Sequence, residues 1–173
     1  MIDVEEVRDA QTVVNFSYKL EEKGGSCSKI KTFISDMSSA YKSTKEECFC
    51  QSAQVIDKFH VKQEMLKAID EVRKEEQGRK TSSGREFGKK LLMIPESRQT
   101  EQQKEKVAEL SRKYSKTGRA FRMVQAIDEM YRCDKPEEAK NVFNKLISWL
   151  RQSRLAPMKR VAQTLKAHQE SIL

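Results

Sequence analysis

The chain has 173 residues, 35% of them charged and 37% hydrophobic, with a formal net charge of +8. That length suits one domain, or a small domain with an appendage. The composition argues against a membrane protein, because no segment reaches the roughly 18 consecutive apolar residues of a spanning helix. Charged residues begin at Asp3, with Glu5 and Glu6 close behind, so no secretory signal is expected and a cytoplasmic chain is. The charge is unevenly placed: residues 1–57 carry 7 Lys/Arg against 10 Asp/Glu, and residues 58–173 carry 27 against 16. The basic part points to a polyanionic partner, most simply nucleic acid; neither a membrane nor a small-molecule substrate is expected. Solvated helix surface is the competing reading. The four cysteines, Cys27, Cys48, Cys50 and Cys133, form no Cys-x-x-Cys pair. Cys48-Phe49-Cys50 with His60 makes a poor zinc set, so free thiols are expected.

In chain order, Val13, Val14, Phe16 and Leu20 have helical spacing over Asp9 to Leu20, and Gly24-Gly25 supplies the stop. Ile30 to Ser35 reads as a short strand, Met37 to Cys48 as a weak helix, and Ala53 to Ile56 as a second, buried strand. Strand, helix and strand with short joints predict two parallel strands. After His60 the period lengthens. Val61, Met65, Leu66, Ile69 and Val72 mark an amphipathic helix to about Glu76, and Gly78 to Gly84 reads as a basic joint. Phe87, Leu91 and Leu92 begin another helix that Pro95 stops. Thr100 and Gln103 resemble a capping box opening a helix to about Tyr114. Phe121, Val124, Ile127 and Met130 form one apolar face, and Asp134-Lys135-Pro136-Glu137 opens the next helix. Pro157 separates that helix from a last one bearing Val161, Leu165 and Ile172.

Asp36 and Asp57 each follow a predicted strand and precede a helix. A carboxylate at the carboxyl end of a strand can bind a divalent metal beside others, or can simply cap the helix that follows. His60 joins Asp57 at the second joint, either as part of a carboxylate–imidazole pair or in a first turn satisfied locally. Arg73, Lys74, Arg79, Lys80, Arg85, Lys89 and Lys90 make the densest cationic stretch. Lys145, Arg151, Arg154, Lys159, Arg160 and Lys166 make a second, and either set could track phosphates without reading sequence. Trp149, near Phe143 and Leu146, is expected in the core, and His168 on an exposed helix face.

The order and spacing of Ser35-Asp36-Met37-Ser38-Ser39-Ala40-Tyr41 and Ala53-Gln54-Val55-Ile56-Asp57-Lys58-Phe59-His60-Val61 carry a family resemblance. Asp9-Ala10-Gln11-Thr12-Val13, Lys23-Gly24-Gly25, Ala68-Ile69-Asp70-Glu71-Val72-Arg73, Ser148-Trp149-Leu150 and Ser153 to Met158 extend it over essentially the whole chain. The sequence resembles bacterial insertion-sequence transposases of the ISL-three type, whose catalytic domain is a ribonuclease-H-like fold with an acidic DDE triad. The resemblance implies an α/β fragment, a partial ribonuclease-H-like sheet of about two strands over residues 1–60. An all-α helical insertion over residues 61–173 follows, so the chain is mostly helical overall.

By the same resemblance Asp36 matches the second catalytic carboxylate and a ligand of Mg2+, while Asp57 and His60 match an Asp-x-x-His element beside it. The first carboxylate and the glutamate have no counterpart in these residues, so a truncated transposase, inert by itself, is expected. A sheet short of strands also exposes edge and apolar face, which favours self-association or assembly with a full-length transposase. The alternative is a non-catalytic helical DNA-binding or regulatory module acting on a full-length transposase. A helical protein-interaction domain with no DNA role is a third reading. The sequence departs from the family at Lys42-Ser43-Thr44-Lys45, which lacks a usual Gly-Val, at Cys48-Phe49-Cys50 in place of a Pro-containing turn, and at Gln169 in place of a Trp.

Overall fold

Apolar runs of four residues can pair only where their neighbours stop the helix before them, and here two glycines do so. The computed structural model describes residues 10–78 and 88–173. Helix α1 (Ala10–Glu22) ends where Gly24, at φ 78°, and Gly25 donate to the carbonyls of Glu21 and Leu20. This is the paired hydrogen-bond pattern that closes a helix through a left-handed residue. A Cβ on Gly25 would lie 2.5 Å from Leu20 Cδ1, so the close approach also requires glycine there. Strands β1 (Thr32–Ser35) and β2 (Ala53–Ile56) then pair in parallel, joined through helix α2 (Ser39–Cys48). One face of this pair is covered by Phe49, which stacks on Phe33 at 5.8 Å and meets Phe16 of α1 at 6.3 Å. On the other face Ile34 and Val55 stand opposite each other in register and remain exposed. Parallel strands are ordinarily covered on both faces.

The chain divides into two compact units, one of the described residues up to His60 with Glu170–Ile172, the other of Val61–Gln169 with Leu173. The second unit is helical: α3 (Lys58–Gln77, entering from Val61), α4 (Lys89–Leu92), α5 (Glu101–Lys113), α6 (Ser115–Met130), α7 (Pro136–Gln152) and α8 (Ala156–Ala167). Its core follows the helical period, with Val61, Met65 and Ile69 of α3, Phe121, Val124 and Ile127 of α6, Phe143, Leu146 and Leu150 of α7, and Met158 and Leu165 of α8 all buried. Each such side chain contributes about 1.5–3 kcal/mol through burial. Helix α5 opens with the full reciprocal capping box of Thr100 and Gln103, and α7 opens with Pro136 in its first turn. Gly118 lets α5 and α6 meet closely, since a Cβ there would lie 2.5 Å from Ser111 Cβ.

Polar ties are placed at helix ends and between helices. The Glu76 carboxylate accepts from the Lys116 and Thr117 amides at 3.0 and 2.7 Å, satisfying donors at the start of α6. Lys62 reaches Asp128 at 2.7 Å. In the last part of the chain the expected single helix is broken: α8 stops at His168, whose amide turns back to the Thr164 and Leu165 carbonyls, and α9 (Gln169–Ile172) follows. His168 is half-buried at that break, not on an open face as the sequence suggested. The described residues are thus mostly helical with one two-stranded parallel sheet, as read from the sequence.

Candidate metal site and nucleic-acid interface

Register decides what the two acidic joints do. Ser35 pairs with Ile56, and the Asp57 amide continues the ladder by donating to the Ser35 carbonyl at 3.1 Å. Asp36 and Asp57 are therefore the first residues past the ends of neighbouring parallel strands, whose axes lie about 5 Å apart. Both line one cleft of about 690 Å³ with His60, Tyr41 and Ser38, walled by Ala10 and Val13 of α1.

Each carboxylate is held by one oxygen. Asp36 Oδ1 accepts from the Ser38 amide at 2.8 Å, and Asp57 Oδ1 accepts from the Phe59 amide at 2.9 Å. Asp57 caps α3, as one of the two sequence readings had it. Asp36 does not cap α2: Ser38 occupies the cap position, and Asp36 forms an Asx turn two residues earlier. The Oδ2 atoms of Asp36 and Asp57 take no hydrogen bond from any described residue. The His60 ring packs edge-on to exposed Phe59 at 5.8 Å. Carboxylate oxygens are the donors that Mg2+ prefers, usually one or two with water completing the shell, so this pair fits a divalent cation. Among the described residues no group of three or more His, Cys, Asp or Glu could hold a metal ion. The cysteines are free thiols, and burial pushes that of Cys27 up, helped by nearby Glu21.

The expected phosphate contacts divide into distinct cases. Arg79, Lys80 and Arg85 lie outside the described residues. Lys89 and Lys90 are exposed on α4. Arg73 is a correction: it is 1% exposed, with Nε and Nη2 donating to Asp70 Oδ1 at 2.9 and 2.5 Å, so it is a core ion pair and not a surface cation. Lys74 is exposed but bonded to Asp70 at 2.7 Å, and Arg160 is paired with Glu71. Arg151, Arg154 and Lys159 are exposed, and no carboxylate among the described residues pairs with them. Trp149 is a second correction, since it is 39% exposed and not core. Its position carried a signal: it sits at the edge of the apolar arc of α7, next to Lys145 one turn before and Gln152 one turn after.

One unit thus carries a parallel strand pair with neighbouring carboxylates at its carboxyl edge, and the other is helical and rich in Lys and Arg. A family model described as transposase, the DDE type of the ISL-three insertion sequences, matches residues 1–173. The chain belongs to that family. Its members generally use a divalent metal and have DNA as their partner. No curated protein and no solved structure gives a match. No helix of the described residues is long and apolar enough to cross a membrane.

Proposed function

We propose that residues 1–173 form part of the catalytic region of a DDE transposase, with Asp36 as one of its metal ligands. The observation that carries this reading is the pairing of Asp36 and Asp57 at the ends of adjacent parallel strands, inside one cleft. When bound, Mg2+ polarises a phosphodiester and favours formation of the attacking oxygen nucleophile. The Ser38 amide fixes one Asp36 oxygen and so aims the other into the cleft without a rotamer search. Asp57 is tied in the same way by Phe59, and adds negative charge next to the ligand. His60, one turn into α3, stands at the cleft wall where a hydrogen-bond donor could meet a phosphate oxygen. The exposed Ile34–Val55 face supports packing of this sheet against a further apolar element, from another copy or from a full-length transposase.

Two carboxylates, one of them capping a helix, do not hold two metal ions in the geometry of strand cleavage. Residues 1–173 alone are therefore expected to leave a DNA end uncut in Mg2+ or Mn2+. Strand cleavage that is lost in Asp36→Asn would contradict the proposed inactivity, while cleavage indifferent to Asp36 would contradict its role. The second reading, a helical DNA-binding or regulatory module without catalysis, is favoured by one observation, the cation excess of residues 58–173. It predicts DNA binding that is unaffected by Asp36→Asn and by chelators.

A further inference from the structure

Between Ala139 and Gln169 the chain has no Asp or Glu at all, yet it has seven Lys and Arg. Of these only Arg160 is paired with a carboxylate among the described residues, and Lys166 bonds the Gln169 amide. Charge of one sign left unneutralised over two successive helices is complementary to a polyanion. Within the same stretch Trp149 leaves 39% of its surface in water. Its neighbours are polar: Lys145 one turn before it is exposed, and Gln152 one turn after it donates to Ser148 Oγ at 3.0 Å. Arg151 and Arg154 are exposed at the turn into α8.

A cationic surface alone tracks phosphates and reads nothing else. An exposed indole beside it adds a flat apolar face, and the partner that offers both phosphate charge and an accessible flat apolar face is an unpaired nucleotide. In a duplex those faces are hidden in the stack. We infer that the C-terminal half of α7 is a single-strand contact, in which Trp149 stacks on an unpaired base while Lys145, one turn before it on the same face, holds a flanking phosphate. This inference rests on the transposase reading for its DNA partner, and extends it to a strand with unpaired bases. Such platforms combine a cationic track with aromatic stacking and tolerate any base sequence, because every base has a π-face.

Trp149 is the chain's one tryptophan, so its emission reports this site and no other. The full chain is titrated at low ionic strength with a short oligothymidylate, with a duplex of the same length, and with heparin, which has the charge without bases. Oligothymidylate is expected to quench the emission, and heparin to bind without quenching. Trp149→Ala is expected to weaken oligothymidylate binding roughly tenfold without changing its salt dependence, and Trp149→Phe to keep most of the affinity. Binding of oligothymidylate with emission unchanged, or equal quenching by heparin, would overturn the stacking role and leave the transposase reading intact. Absence of binding to either DNA form would overturn this contact and the DNA partner together.

Discussion

Exchanging Arg151, Arg154 and Lys159 together for Gln should flatten the salt dependence of duplex binding by about 2.7 in the slope of log K against log salt, since each phosphate contact adds about 0.9. These three are exposed and paired with no carboxylate among the described residues, so each is free to replace a counterion on a phosphate. Arg160→Gln should change the slope much less, because that guanidinium already answers Glu71. Arg73 should contribute nothing, being 1% exposed and committed to Asp70. Fluorescence anisotropy of a labelled duplex over a salt series measures all of this. A slope unchanged in the triple variant would show that the cations of α7 and α8 only solvate their helices.

The largest stability effect should come from Asp70→Ala. Arg73 keeps 2% of its side chain in water and Asp70 12%, and no described group accepts from the third guanidinium nitrogen, Nη1. Removing the carboxylate strands a buried charge, which costs about 3–5 kcal/mol in general; Asp70 retains some water, which favours the lower end. Lys74 also loses its partner, at little cost because it is exposed. Asp70→Leu with Arg73→Met should be far milder, since an apolar pair of similar volume avoids desolvating both ions. Urea denaturation at neutral pH tests both, and a loss under about 1 kcal/mol for Asp70→Ala would contradict a committed ion pair.

The same pair makes a pH prediction. Burial alone would raise the Asp70 carboxyl, but hydrogen bonds from Lys74 and Arg73, with their charges, outweigh it and hold the group below the ordinary carboxylate value. A lowered folded value means that the stabilisation is fully present above the unfolded value of about 4 and is lost as pH falls through the folded one. The wild-type chain should therefore lose more stability on acidification than the Leu/Met pair does.

Much of the architecture was legible because local chemistry and tertiary structure agree. The bounds of strand β2 were read residue for residue at Ala53–Ile56, although only Ile56 is buried where a buried strand was expected, and the capping box of Thr100 and Gln103 set the start of α5. The adjacency of Asp36 and Asp57 was implicit in parallel pairing but needed the register to become a site. Arg73 was misread because residue type was weighed above period. It falls four residues after Ile69 and eight after Met65, on the buried stripe of α3, and Asp70 makes that burial tolerable. Trp149 was misread the other way: Phe143 and Leu146 one to two turns before it suggested core, whereas its angle on α7 puts it at the edge of the apolar arc. The break at His168 has no glycine or proline to announce it, and hydrogen bonds to Thr164 and Leu165 form it. Asp36 lies two positions before the Ser38 cap of α2, and the Ser38 amide engages only its Oδ1.

The central claim is that Asp36 holds a divalent cation, and Mn2+ reports that directly through paramagnetic broadening of nearby amide resonances. Titrated into the 173-residue chain, Mn2+ should broaden Asp36, Met37, Ser38 and Asp57 first, and Asp36→Asn should abolish the effect at those positions. Broadening that begins elsewhere, or that survives Asp36→Asn unchanged, would contradict the assignment of Asp36 as a metal ligand.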